Sequence, residues 1–204
     1  MTATTIAPVG PTPGPYIIVR NPNGGFDHIG GRGVPRLVKV EQHFLSINEH
    51  DATNILFWQT PRLFAGGRIV VDAADEDYGV KAHARGMGLL ADTIVDIEAK
   101  MVRGNQRIAP VQGPYTISPV RKDGDILLAA PTAPFFARVI GRHVEPSVQI
   151  ANAVMFSKAP DLLEAGLLLF EGSKEKNATT TAFEEGLAKM RAVLRVIDAA
   201  VAAL

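Results

Sequence analysis

Five histidines are the residues of this 204-residue chain best suited to metal or acid–base chemistry: His28, His43, His50, His83 and His143. A zinc or non-haem iron site needs two or three of them to converge with a carboxylate. His43 and His50 lie seven apart with Glu41 and Asp51 beside them, so this segment supplies both ligand types. The chain between them does not read as a clean helix, and a shared face cannot be claimed. No HExxH is present, and the adjacent pairs His50-Asp51 and His143-Val144-Glu145 are of the kind that chance produces. The histidines therefore read as surface or core-edge residues. An enzymatic alternative, a β-barrel or sandwich with a metal or acid–base site, would use His43 and His50.

Other chemistry fades on inspection. The glycines of "HIGGRG" suggest a phosphate loop, which requires a strand, a Gly-rich turn and a following helix. Here they run into "VPRLVKV", which reads as a strand. Asp72, Asp75, Glu76 and Asp77 offer calcium ligands but lack the glycine and glutamate spacing of an EF-hand. Ser173 and Lys176 match Ser-x-x-Lys without its companion motifs, and there is no GxSxG elbow. No cofactor is implied.

Composition narrows the class. With 21 basic and 21 acidic residues the net charge is zero, against the clustered basic surface that nucleic-acid binding requires. Near-neutral surfaces do little to oppose self-association. The absence of cysteine excludes disulfides, thiolate metal sites and cysteine nucleophiles. No secretory signal is evident, and the most apolar zone, "DILLAAPTAPFFARVIG", is broken by Pro131, Pro134 and Arg138. A protein that partners no membrane is expected, cytoplasmic during assembly.

The elements that would position these residues read mainly as short strands. "PYIIVR", "VPRLVKVEQHFL", "RIVVDA", "FFARVIGRHV" and "SVQIANAVMF" are β-branched or alternating. Asp123-Gly124 sits between two such runs as a hairpin turn. Leu90, Ile94, Ile97 and Met101 trace one internal helical face, with Asp96 and Lys100 paired four apart. A long C-terminal helix over 181–203 carries Phe183, Leu187, Met190, Leu194, Ile197 and Val201 on one stripe. "NEHDATNILFWQTP" is ambiguous, and no internal repeat is evident. The pattern predicts one α+β domain over 16–204, with a mainly antiparallel β-sandwich or barrel-like body, one internal helix and the C-terminal helix.

Residues 1–15 stand apart. Pro8, Pro11, Pro13 and Pro15 favour an extended arm, which at about 3.1 Å per residue reaches roughly 45 Å. Ordering such an arm requires a surface to lie against. Arm, β-rich body, neutral charge and lack of a catalytic constellation together lead to the expectation of a self-assembling structural subunit. The kind envisaged is a decoration, neck, tail or minor capsid protein of a phage-like particle or virion. Its partners would be copies of itself, as a homo-oligomer, and other particle proteins. Pro8, Pro11, Pro13, Tyr16, Phe26 and Arg32 would make the inter-subunit contacts.

Overall fold

The computed structural model describes residues 11–12, 16–20, 22, 26–31, 33–75, 79–142, 144–174 and 181–203. Strands β1 (Ile17–Arg20), β2 (Phe26–Gly31) and β3 (Val34–Val40) lead into helices α1 (Ile47–Asp75) and α2 (Gly79–Lys100). A small hairpin of β4 (Val102–Arg103) and β5 (Gln106–Arg107) follows. The series then recurs: β6 (Thr116–Ile117), β7 (Ile126–Ala130), β8 (Ala133–Val139), α3 (Pro146–Ser157), α4 (Ala159–Lys174) and α5 (Thr181–Ala202). Six strands form one open antiparallel sheet in the order β1-β2-β3-β8-β7-β6, and the helices pack on it and on one another. The chain is α+β.

The expectation of no internal repeat is overturned, because the fold is built twice. Ile18 pairs with Ile29 and Ile117 with Leu128; Ile29 also pairs with Val38 and Leu128 with Ala137. Both central hairpins then slip before their turn-side pairs, Gly31–Val34 and Ala130–Ala133. Each residue of the first set returns ninety-nine positions later, and the sequence bears the mark in "PTPGPYII" at 11–18 and "PVQGPYTI" at 110–117. α1 is matched by α3 and α4 together, divided at Lys158. In the outer helices Gly86, Leu90, Ile94 and Ile97 of α2 answer to Gly186, Met190, Leu194 and Ile197 of α5, all buried.

A pseudo-two-fold axis relates the halves. It passes between Lys39 and Arg138, which face each other where β3 pairs with β8. Beneath it the equivalent rings of Phe57 and Phe156 meet with centroids 5.0 Å apart, each fully buried. Burial of two such rings contributes on the order of 3–6 kcal/mol. The contacts around them are crossed. Tyr16 of the first half packs on Phe156 of the second at 5.9 Å, and Tyr115 of the second on Phe57 of the first at 6.3 Å. The Thr12 amide donates to Asn152 Oδ1 at 2.6 Å, and the equivalent Val111 amide donates to Thr53 Oγ1 at 3.1 Å. Each half lays its leading segment on the other half's helix.

Two strand expectations fail, "SVQIANAVMF" for a clear reason. Residues 52–57 of α1 and 151–157 of α3 are buried without a break, so no polar face survives to display a helical period. "RIVVDA" lies in α1 and "SVQIANAVMF" in α3. Among the described residues the six-stranded sheet is open, neither a sandwich nor a closed barrel, and four helices precede α5 where one was expected; helix outweighs strand, against the β-rich reading. α1 begins with a capping box, Ser46 Oγ accepting from the Glu49 amide at 3.2 Å while Glu49 Oε2 accepts from the Ser46 amide at 3.0 Å. The helices whose faces are legible, α2 and α5, are those lying along α1 and α4 at the outside of the layer. The Asp123-Gly124 turn joins paired strands as expected, with Gly124 at φ 84°.

Pro11 and Thr12, assigned by the sequence reading to the arm, lie against the body. Thr12 is 6% exposed. Residues 1–10 and 13–15 are outside the described residues.

Candidate functional site

The end of β3, the turn after it and the start of α1 enclose a polar cleft of about 580 Å³ lined by Asp27, Lys39, Glu41, His43 and His50, with Phe26 at its edge. The structure thus brings Glu41, His43 and His50 to one cavity, although they lie on different elements. Their charges are already matched. Glu41 sits 3.4 Å from Lys39 Nζ and 3.3 Å from Arg138 Nε, and Arg138 also reaches Asp125 at 3.3 Å. His50, buried at the first turn of α1, has both ring nitrogens engaged: Nδ1 lies 3.2 Å from Asp51 Oδ1, and Nε2 lies 3.3 Å from Asn54 Nδ2. The amide nitrogen can only donate, so Nε2 accepts and Nδ1 carries the proton toward Asp51. Both ring nitrogens are thus occupied by neighbours on α1.

His28 bridges Asp27 Oδ2 at 2.9 Å and the Pro35 carbonyl at 3.1 Å, holding β2 to the start of β3. Its hydrogen bond holds the Asp27 carboxyl below the ordinary value of 3.8, with smaller help from Lys39 and Arg36 against partial desolvation. His83 packs on Phe183 with centroids 5.8 Å apart, far along the chain from His43 and His50. His143 lies outside the described residues. Among the described residues no cluster of three or more His, Asp or Glu could hold a metal ion, so the pairing of His43 with His50 does not extend to a ligand set.

On the other side of Phe26 lies a second groove, of about 440 Å³, between β1, α1 and the end of α2. It is lined by the aliphatic Ile18, Ile55 and Ile108 and by the aromatic Phe26 and Trp58. Trp58 is fixed by its indole N–H, which donates to the Tyr16 carbonyl at 2.7 Å. Three cations stand around it. Arg20 lies over the Phe26 ring at 4.8 Å, Lys100 over Trp58 at 5.2 Å, and Arg103 reaches Asp51 at 3.5 Å. Lys100 also pairs with Asp96, as the spacing predicts.

No family model, curated protein or solved structure matches this chain. The reading of the site therefore rests on its own geometry.

Of the residues proposed for inter-subunit contact, Phe26 is half-buried between the two clefts, Pro11 is half-buried beside α1, and Tyr16 is 4% exposed inside its own chain. The Tyr16 hydroxyl donates to the Thr12 carbonyl at 2.8 Å, and burial pushes its pKa upward. Pro8, Pro13 and Arg32 lie outside the described residues. Sequence reasoning missed Trp58, Lys100 and Arg103. The available signal was the Trp-containing run in "NILFWQTP", but the groove is assembled from segments some forty residues apart and no local pattern announces it.

Proposed function

We propose that the protein is a structural subunit of a multimeric, phage-like particle, acting by packing against copies of itself and other particle proteins. The observation that supports this best is the pair of open sheet edges. Among the described residues nothing pairs with the outer side of β1 or β6, and these carry Ile17 at 61% and Ile117 at 38% exposure. An uncovered edge offers its backbone N–H and C=O groups to an incoming strand. Contact between β1 of one copy and β6 of the next is heterologous, and such contacts repeat into rings or filaments. Ion-paired side chains in the polar cleft favour packing over turnover. Among the described residues, no helix is long and apolar enough to cross a membrane.

Native mass spectrometry tests this reading on the wild type and on an Ile17→Lys/Ile117→Lys double variant. The wild type is expected as a multimer and the variant as a single 21.8 kDa chain with an unchanged melt. A wild-type monomer at about 100 µM would overturn the reading.

A second reading, a small enzyme using His43 and His50 with Glu41 or Asp51, is favoured by one observation: Glu41, His43 and His50 line one cleft. Metal analysis decides it. Stoichiometric zinc or iron lost in a His43→Ala/His50→Ala variant supports the enzyme, and metal-free protein removes it.

A further inference from the structure

The duplication gives each position in one half a counterpart in the other. The residues that build the scaffold return as like residues: Tyr16 and Tyr115, Phe57 and Phe156, Gly86 and Gly186. The groove between Phe26 and Trp58 does not return. Asp125 stands in the place of Phe26, Pro119 of Arg20, Ser157 of Trp58 and Ala200 of Lys100. One scaffold thus carries this chemistry on one side only, so the fold itself does not require it.

We infer that this groove binds a small anion carried on a flat apolar ring system. The ring would lie against Ile18, Ile55 and Ile108, in contact with Phe26 and Trp58. Its volume, about 440 Å³, is within the range of small-ligand pockets. The anion would meet Arg20, Lys100 and Arg103 at the rim. Arg20 lies over the Phe26 ring and Lys100 over the Trp58 ring, so both cations stand at the aromatic residues that line the groove, within reach of an anion carried on a ring bound there. The ion pairs of Lys100 with Asp96 and of Arg103 with Asp51 join partly exposed side chains, so exchanging them for a ligand carboxylate or phosphate costs little. Asp51 repels an anion, but His50 and Arg103 hold it from two sides. A nucleoside monophosphate and an aromatic carboxylate share the required chemistry.

Trp58 is the chain's single tryptophan, so its fluorescence reports on this groove alone. The test titrates the full chain with adenosine 5′-monophosphate, benzoate, adenosine and a single-stranded oligonucleotide, following Trp58 emission and the heat of binding. Saturable one-to-one binding of the monophosphate, of benzoate or of both is expected, at least tenfold tighter than adenosine. The stronger of the two identifies the source of the anion. Arg20→Gln and Lys100→Gln, both exposed and outside the core, are each expected to weaken binding about tenfold without changing the melt. No saturable response to either anion, equal binding of adenosine, or affinity unchanged in both variants would overturn the inference. A response only to a single-stranded oligonucleotide would overturn it as well. Oligomer mass, measured on the same samples, keeps this outcome separate from that of the assembly proposal.

Discussion

Asn152→Ala is the sharpest probe of how Thr12 and Tyr16 are held. The Asn152 side chain is fully buried and makes two hydrogen bonds to Thr12, one from the Thr12 amide at 2.6 Å and one to its hydroxyl at 2.9 Å. Truncation strands both partners at a 6% exposed residue. An unsatisfied buried polar group costs about 1–3 kcal/mol, so the pair places the loss at roughly 2–5 kcal/mol. If the segment detaches instead, the cost is capped by its burial, and Tyr16 loses its packing on Phe156. Chemical denaturation measures the first outcome, and hydrogen exchange at Thr12 and Tyr16 to Val19 measures the second. Thr53→Val, which strands only the Val111 amide, is expected to cost about half as much. A loss below about 0.5 kcal/mol in Asn152→Ala, with unchanged exchange, would refute the crossed packing and return the segment to an arm held from outside.

Two further outcomes follow from the helix layer. A methyl group on Gly186 would lie 2.7 Å from the Leu169 amide nitrogen, whereas Gly88 has nothing within 4 Å. Gly186→Ala is thus expected to destabilise by about 1–3 kcal/mol and Gly88→Ala to stabilise by about 0.5–1 kcal/mol, both read from denaturation midpoints. Glu49 is held below its ordinary 4.5 by its hydrogen bonds to Ser46, as Asp27 is held below 3.8 by His28. A depressed folded pKa gives stability that is complete above the ordinary carboxylate range and lost as pH falls through the folded value. Acid titration of the melt should accordingly lose less in Glu49→Gln than in the wild type below about pH 4.

How much of this was legible depended on burial. α2 and α5 showed their faces because one side meets solvent, so Leu90, Ile94 and Ile97 stand out from polar neighbours. α1 and α3 lie between the sheet and other helices, and their β-branched residues imitate strands. The Ser46-Ile-Asn-Glu49 capping box was nonetheless available as a start signal. The duplication left its clearest trace in Pro, Gly, Pro, Tyr and Ile at matched spacing, while the helices kept only their pattern of burial. Of the site, Phe26, His43 and His50 were legible as residue types. Trp58 and Lys100 were not, because their role arises only when α1 and α2 pack side by side.

The fold depends above all on two interlocked halves, each completing the other. Cutting the exposed β4–β5 turn and producing 1–104 and 105–204 as separate chains tests this directly. Co-expressed, the fragments are predicted to purify as a one-to-one complex with a cooperative melt, and neither alone should fold as a monomer. A fragment that folds as a stable monomer and ignores its partner would contradict the account.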